Sequence, residues 1–364
     1  MTKQKTKYYS LKNILQKNAV YNIIIGERSN GKTYAVLREG VKKYLNNKGQ
    51  VAYIRRWKED VTGRRAKAVF SALEQNNEIY NLSGGEFTGV HYLNGRFYLC
   101  NYDEKGNVVF SDNDCFGYLF ALSDSEHDKS TSYPNVTTII FDEFLTKNLH
   151  LNDEFIIFMN VISTIIRKRT DVKIFMLGNT VNKYSPYFLE MGLNHIPKME
   201  QGTIDVYKYG NSKLTVAVEY CKPNQTRKKN NFYFAFNNPK LEMITGGAWE
   251  MDIYPHLPMK YKPKNIDFMY FIIFNDKIYQ CEIITINDVS FTYIHNKTTP
   301  IKDEDNEMIY SLEYNPKINY NRNIFKPINK LQQNILWYFK TDRVFYQDNF
   351  VGDEIGNYLK LCGG

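Results

Sequence analysis

The sequence has little of what marks a secreted, zinc-bound or membrane-spanning protein. Its 364 residues include five cysteines, an odd number, and no two of them form a C-x-x-C pair. We therefore expect neither a disulfide framework nor a zinc ribbon, and we expect the protein to function in a reducing cytoplasm. No apolar run approaches the roughly 18 residues that a membrane span needs, so we expect no membrane partner.

Aromatic residues, in contrast, are abundant. The chain has 29 Tyr and 23 Phe, and 43% of its residues are hydrophobic, which is enough apolar surface for packed cores and excludes wholesale disorder. The length fits about two domains. The net charge of +8 suits a polyanionic partner but is also ordinary for this size, so it decides nothing alone.

Short apolar strands alternate with helical patterns over residues 1–215. This alternation predicts an α/β domain, a parallel sheet with helices on both faces. The expected strands cover residues 21–25, 51–55, 96–101, 107–110, 116–122, 136–141 and 172–177, and the expected helices cover 32–44, 66–80 and 153–169.

A change in composition divides the rest of the chain. Residues 216–258 are basic and contain Pro and Gly, which predicts a linker region. Residues 259–364 predict a smaller α+β domain. Its expected elements are antiparallel strands at 268–274, 277–285 and 289–295 and a helix at 330–339.

Residues 26–33, GERSNGKT, match the G-x-x-x-x-G-K-[ST] pattern of a P-loop between a strand and a helix. Its two glycines permit positive φ or close backbone approach, and successive N–H groups then surround phosphate oxygens. Lys32 would contact the β- and γ-phosphates of ATP, and Thr33 would bind Mg²⁺. The alternative is a plain Gly-containing turn. The expected nucleotide-binding residues are Gly26, Glu27, Arg28, Ser29, Asn30, Gly31, Lys32, Thr33 and Tyr34.

Two acids follow a buried, β-branched strand at Thr138–Phe141. Asp142 would complete the Mg²⁺ shell and Glu143 would polarise the attacking water, a pattern typical of hydrolases. The alternative is a strand end with two solvated acids. About 110 residues separate Lys32 from Asp142, which leaves room for an additional strand between the two motif strands. Asn179 ends the next strand and could sense the γ-phosphate, or simply occupy a turn.

Two basic clusters could complete the site. Arg55, Arg56 and Lys58 follow the second strand, and Arg167, Lys168 and Arg169 end a predicted helix. An arginine from a neighbouring subunit can stabilise transition-state charge. Basic residues at a helix end also have a simpler explanation, since they favour the negative end of the helix dipole.

Taken together, these segments resemble the DNA-packaging motor ATPases of small, short-tailed phages, compact relatives of the terminase large subunit. The resemblance covers most of the first 200 residues. It rests on the P-loop, VAYIRRWK (51–58), KSTSYPNV (129–136), TIIFDEF (138–144), IIRKR (165–169), the strand leading to Gly178-Asn179-Thr180, and Ser185-Pro186-Tyr187-Phe188.

The resemblance implies a P-loop ATPase of the additional-strand, catalytic-Glu type. It implies a homopentameric ring at a prohead portal in the host cytoplasm, which moves double-stranded DNA and in some relatives includes a structural packaging RNA. By motif, Lys129 and Arg167 would act in trans. More loosely, Arg56 would contact the nucleotide. The catalytic residues expected in all are Glu143, Arg167, Lys129 and Asn179.

The family also leads us to expect a reduced RNase H-like nuclease fold after residue 259. Nuclease chemistry needs clustered carboxylates, and the strand at 268–274 has none while Glu282 is alone on the next strand. A full terminase with an active nuclease and a nucleotide-gated, non-catalytic assembly ring remain alternatives. Three basic clusters could contact DNA or be solvated loops: Arg64, Arg65 and Lys67; Arg227, Lys228 and Lys229; and Lys260, Lys262 and Lys264.

Overall fold

The computed structural model describes residues 9–124, 131–146, 150–151, 153–181, 185–222, 254–257 and 259–363. The chain divides into two compact units, Met1–Glu250 and Met251–Gly364. Among the described residues, no helix is both long enough and apolar enough to cross a bilayer.

The first unit contains a nine-stranded sheet with helices on both sides. Its strands are β1 (Tyr21–Gly26), β2 (Gln50–Arg55), β3 (Gly89–Leu93), β4 (Arg96–Tyr102), β5 (Val108–Ala121), β6 (Val136–Asp142), β7 (Lys173–Asn179), β8 (Ile204–Lys208) and β9 (Thr215–Tyr220). Its helices are α1 (Lys12–Leu15), α2 (Lys32–Asn47), α3 (Gly63–Lys67), α4 (Ser71–Gln75), α5 (Glu78–Leu82), α6 (Glu154–Ile166) and α7 (Pro186–Glu190).

The strand order is β3-β4-β5-β2-β6-β7-β1-β9-β8. Six neighbouring strands run parallel, in the order β5-β2-β6-β7-β1-β9. The antiparallel hairpin β3-β4 closes one edge of the sheet, and the antiparallel strand β8 closes the other. The domain is therefore mixed α/β with a large, mainly parallel sheet.

Alternating side chains of the central strands enter two separate cores. In β1, Ile23 and Ile25 join the core that α6 covers, whereas Ile24 joins the core under α2. In β6, Phe141 and Ile140 divide in the same way. Because both faces are buried, these strands read as continuous apolar runs in the sequence. The predicted parallel sheet with two covered faces is confirmed.

The structure contains the expected additional strand between the P-loop strand β1 and the Asp142 strand β6, but this strand comes from a different part of the sequence than predicted. Strand β7 separates β1 from β6, yet it follows Asp142 in the chain instead of lying between the two motifs. Strand order in space can differ from order in the sequence, because sequential strands are neighbours in only roughly two thirds of cases.

Several element boundaries differ from the predictions. The helix expected at 66–80 is α3, α4 and α5, with a break before α5 where Asn77 has φ of 55°. The two strands expected at 107–110 and 116–122 form the single strand β5. Strand β9 pairs with β1, so the expected domain boundary at 215 is too early. Strands β3, β8 and β9 and helices α1 and α7 are not among the predicted elements.

The second unit is a six-stranded sheet with two long helices. Its strands are β10 (Ile266–Phe274), β11 (Lys277–Ile286), β12 (Val289–Lys297), β13 (Ile309–Ser311), β14 (Tyr320–Asn321) and β15 (Val344–Tyr346), and its helices are α8 (Lys330–Lys340) and α9 (Asn349–Leu361). The order is β14-β13-β10-β11-β12-β15. The three predicted strands and the predicted helix are confirmed, whereas β13 to β15 and α9 had not been predicted.

Candidate nucleotide site

The P-loop connects the end of β1 to the start of α2, as the pattern predicts. Gly31 has φ of 95° and Ser29 has φ of 56°, so the backbone turns through the left-handed region before α2 begins. Gly26 does not have positive φ; here the close approach matters, because a Cβ atom would lie 2.8 Å from Cβ of Cys221. The first N–H groups of α2 have no partner within the helix and can bind an anion.

Lys32 is buried at the floor of this loop. Its Nζ donates to the carbonyl oxygens of Gly26 (3.2 Å) and Glu27 (2.7 Å) and to Oδ1 of Asn179 (3.3 Å). Burial lowers the pKa of Lys32. Asn179 reaches it because Asn179 pairs with Gly26 in the parallel register of β7 and β1. The sensor candidate therefore lies beside the P-loop lysine.

Thr33 and Asp142 meet across the end of the sheet. Thr33 Oγ1 donates to Oδ2 of Asp142 at 3.1 Å, and the Tyr53 hydroxyl donates to the same oxygen at 2.8 Å. Burial raises the pKa of Asp142, while the Tyr53 hydrogen bond opposes that rise. A hydroxyl and a carboxylate are oxygen ligands of the kind Mg²⁺ prefers, so these residues fit the metal.

Tyr53 is a site residue that the sequence analysis missed. It lies on β2, directly beside β6 in the sheet, and pairs with Ile140. The only signal in the sequence was a polar hydroxyl within an otherwise apolar strand. Interpreting it required knowing that β2 and β6 are neighbours.

Glu143 follows β6 in a strained turn and faces solvent. It has φ of 57°, and its carboxylate Oε2 lies 2.6 Å from Nη2 of Arg55, with 55% of the Glu143 side chain exposed. Arg55 also lies 3.6 Å from Asp60. Thus the first arginine of the R-R-W-K segment, Arg55, faces the expected base.

Arg56 does not lie where the prediction placed it. Its side chain is only 6% exposed and pairs with the fully buried Glu154, and it does not line the cleft described below. Side chains alternate along a strand, so Arg55 and Arg56 leave the end of β2 in different directions. The expected nucleotide contact from Arg56 is therefore corrected to a contact with Glu154.

The arginines after α6 also differ from each other. Arg167 is exposed, has φ of 52°, and donates from Nη2 to the carbonyl oxygen of Thr131 at 3.3 Å. Arg169 donates to the carbonyl oxygens of Val136, Tyr133 and Ile165, which is a structural role. Lys129 lies outside the described residues.

The P-loop, the two acids and Asn179 surround a cleft of about 650 Å³. It is lined by Arg28, Ser29, Asn30, Gly31, Lys32, Thr33, Tyr34, Asp142, Glu143, Leu145, Thr146, Leu177, Gly178, Asn179 and Val181. Seven consecutive residues of the predicted nucleotide set, 28–34, therefore line one cleft with both acids and Asn179.

The candidate DNA contacts are scattered. Arg64, Arg65 and Lys67 are exposed around α3, although Arg65 lies 3.0 Å from Asp60. Lys260, Lys262 and Lys264 are exposed in the second unit. Arg227, Lys228 and Lys229 lie outside the described residues.

The carboxylate on β11 is engaged by its neighbours. Glu282 accepts hydrogen bonds from the Tyr261 hydroxyl at 2.5 Å and from Gln280 at 2.6 Å, and His295 lies 3.3 Å away. Within the described ranges, no group of three or more His, Cys, Asp or Glu residues could hold a metal ion.

The chain is similar to known phage proteins in both sequence and fold. The family model for the podovirus DNA encapsidation protein (Gp16) matches residues 3–303. The DNA packaging proteins of Bacillus phages phi29 and B103 are 28% and 29% identical over 192 and 183 residues. These alignments cover 52% and 50% of this chain, and the chain spans about half the length of these relatives, 51% and 50%.

Two solved structures share the fold over nearly the whole chain. The phi-28 gp11 DNA packaging motor aligns with a TM-score of 0.56 at 18% identity and covers 98% of both chains. The bacteriophage phi-29 viral genome packaging motor assembly aligns with a TM-score of 0.52 at 19% identity, covering 97% of this chain and 99% of that one.

Proposed function

Because the chain belongs to the podovirus DNA encapsidation protein (Gp16) family, we propose that it is an ATPase that drives double-stranded DNA into a phage prohead. The observation that supports this most directly is the meeting of four groups at the carboxyl ends of three adjacent strands. Lys32 and Thr33 follow β1, Asn179 ends β7, and Asp142 ends β6.

In the proposed reaction, Lys32 and the backbone N–H groups of the P-loop hold the β- and γ-phosphates of ATP. Thr33 and Asp142 would hold Mg²⁺, which when bound neutralises phosphate charge. Glu143 orients a water molecule for in-line attack on the γ-phosphorus and takes up its proton, while the bond to the β-phosphate oxygen breaks and ADP leaves. Glu143 must first separate from Arg55.

We propose that the motor is a homo-oligomeric ring, a pentamer, attached to the prohead portal in the host cytoplasm, with a packaging RNA in the assembly where the phage encodes one. Arg167 would stabilise transition-state charge in the neighbouring subunit, together with Lys129. The exposure of Arg167 at the end of α6 supports the role proposed for Arg167. DNA would be held by exposed basic side chains through its phosphates, since a motor must ignore sequence.

For the second unit we propose a reduced RNase H-like fold without nuclease activity. Three antiparallel strands extended by two parallel ones, in the order β12-β11-β10-β13-β14, support this fold. The carboxylate of Glu282 is occupied by hydrogen bonds from protein side chains, which favours a structural role for it.

The proposal is tested by measuring ATP hydrolysis with proheads and linear double-stranded DNA, added singly and together. We expect the rate to rise when both are present, and Glu143→Gln to lower it by at least about 100-fold, as removal of a general base does. A wild-type rate that ignores both additions, or a Glu143→Gln protein with normal turnover, would contradict the proposal.

A further inference from the structure

A buried ion pair between Arg56 and Glu154 lies next to the turn after β6 that carries Glu143. Arg56 donates from Nε to Oε2 of Glu154 at 2.8 Å and from Nη2 to Oε1 at 2.9 Å. Exposed fractions are 6% for Arg56 and zero for Glu154. This two-point geometry fixes the plane of the guanidinium group.

The same guanidinium group contacts the backbone that carries the expected base. Nη2 donates to the carbonyl oxygen of Phe144 at 2.6 Å, and Nη1 donates to that of Glu143 at 3.2 Å. Glu143 is held with φ of 57°, a conformation that is unfavourable for a non-glycine residue and persists only where the surroundings impose it. Arg56 is part of those surroundings.

Other groups complete the network around Glu154. The Tyr187 hydroxyl donates to Oε1 at 2.8 Å, the backbone N–H of Leu151 donates to Oε2 at 2.8 Å, and His150 Nδ1 lies 3.3 Å from Oε1. Burial alone would raise the pKa of Glu154, but the bonds from His150 and Arg56 outweigh it and hold the pKa at about 2. The anchor for Arg56 therefore stays ionised across the physiological range.

A buried ion pair contributes little net stability, because desolvation offsets the attraction, but it imposes one arrangement on its partners. We propose that Arg56, Glu154 and Tyr187 are positioning residues for ATP hydrolysis, which hold the turn after β6 so that Glu143 faces the γ-phosphate. This inference rests on the proposed ATPase activity and adds a role for residues that do not line the cleft.

The network also connects the site to α6. Glu154 is the first residue of α6, and Arg167 directly follows its last residue. Tyr187 lies on α7, after the strand that ends at Asn179. A shift of the turn at Glu143 would therefore be transmitted through Arg56 and Glu154 to the start of α6. Arg167, proposed to act in trans, directly follows the end of this helix.

The test uses the full-length chain and three graded variants. Tyr187→Phe removes one hydroxyl, Arg56→Lys keeps the charge but loses the two-point geometry, and Glu154→Gln removes the anchoring charge. We expect kcat to fall several-fold for Tyr187→Phe and about 10- to 100-fold for the other two, since small misplacements cost that much. Affinity for a fluorescent ATP analogue should change less than about threefold.

Arg38 and Glu78 provide controls with the same side-chain chemistry, because they form a partly exposed Arg–Glu pair at 2.8 Å in the same unit, and neither lines the cleft. Arg38→Lys and Glu78→Gln should leave kcat unchanged. If Tyr187→Phe and Glu154→Gln matched these controls while the wild type was active, the positioning role would be overturned. An inactive wild type would instead overturn the proposed function.

A double-mutant comparison separates positioning from general structural damage. If the network acts through Glu143, then Glu154→Gln added to Glu143→Gln should lower the residual rate no further. Additive losses would mean that Glu154 only maintains the fold, and would overturn the inference.

Discussion

Nη2 of Arg55 lies 2.6 Å from Oε2 of Glu143, so the expected catalytic base is engaged by an arginine of its own chain. The pair is partly exposed, with 18% of the Arg55 side chain and 55% of the Glu143 side chain accessible. Exposed ion pairs contribute about 0–1 kcal/mol. Separating Glu143 from Arg55 therefore costs little, and the pair can act as a brake on hydrolysis that is easily released.

Removing Arg55 should release Glu143. We expect Arg55→Ala to raise the ATPase rate without DNA about two- to fivefold, in line with the small energy of such pairs, and to lower the ratio of DNA-stimulated to basal rate. Arg38→Ala is the control. Steady-state ATPase assays with and without DNA check this, and a basal rate that falls as it does for Glu143→Gln would contradict it.

Tyr53 should set the pH dependence of metal binding. Burial raises the pKa of Asp142 and the Tyr53 hydrogen bond lowers it, so Tyr53→Phe should raise that pKa further. As the pH falls, the Asp142 carboxylate would then become protonated at a higher pH than in the wild type. The acid limb of the pH–rate profile would therefore move toward neutral pH. We also expect roughly tenfold weaker apparent Mg²⁺ affinity, from loss of a hydrogen bond to a charged group.

The check is a Mg²⁺ titration of ATPase activity at several pH values. Tyr21→Phe is the control, since Tyr21 is a buried tyrosine of β1 whose hydroxyl lies 3.8 Å from Sδ of Met159 and which does not line the cleft. Superimposable profiles for Tyr53→Phe and the wild type would refute the assignment.

Two substitutions of Asn179 should affect ATP binding and ATP turnover to different extents. In Asn179→Asp a carboxylate would lie about 3.3 Å from Nζ of Lys32 and compete with the phosphates, so we expect ATP affinity to fall on the order of tenfold. Asn179→Ala removes the contact without adding charge and should lower kcat more than affinity. Equilibrium binding and single-turnover assays distinguish the two effects; equal affinities for both variants would exclude the proposed competition.

Arg167 should complement a neighbouring subunit in trans. Arg167→Ala and Glu143→Gln proteins are each expected to be inactive in rings on proheads, whereas mixed rings should regain activity, because some interfaces then contain both intact residues. Arg169→Ala is an informative comparison, since Arg169 binds carbonyl oxygens of its own chain. Mixed rings without any regained ATPase activity would argue for action in cis.

Tyr254 should stabilise the second unit through two glycines of α9. A Cβ atom on Gly352 would overlap the Tyr254 ring, and one on Gly356 would lie 2.6 Å from the Tyr254 hydroxyl. Gly352→Ala should therefore destabilise the protein by about 1–3 kcal/mol, whereas an unobstructed helix would gain about 1 kcal/mol from this change. Thermal unfolding of Gly352→Ala and of Gly352→Ala/Tyr254→Ala checks this, and a stabilised single variant would refute the contact.

The local chemistry of the site was predictable because it lies in contiguous segments. The P-loop and the Asp142-Glu143 pair each depend on a strand followed by fixed residues, and burial of both strand faces leaves a continuous apolar run that can be recognised. Asn179 was predictable for the same reason, as the polar end of such a strand.

The long-range pairings were not predictable. Arg55 and Arg56 are adjacent in the sequence, and nothing in the sequence indicated that Arg55 would reach Glu143 while Arg56 would reach Glu154. Tyr53 had no recognisable role until β2 was placed beside β6. Short edge strands such as β3 and β8 also escaped prediction, because half-exposed strands have weak patterns.

The sequence alone thus determined the nucleotide-binding loop, the two acids and the parallel sheet, since backbone periodicity and local turns specify them. Only the tertiary structure decided the strand order β1-β7-β6, the boundary beyond β9 and the partners of Tyr53, Arg55 and Arg56. Those features depend on which strands become neighbours, and neighbours are selected by packing between segments about 35 to 195 residues apart in the sequence.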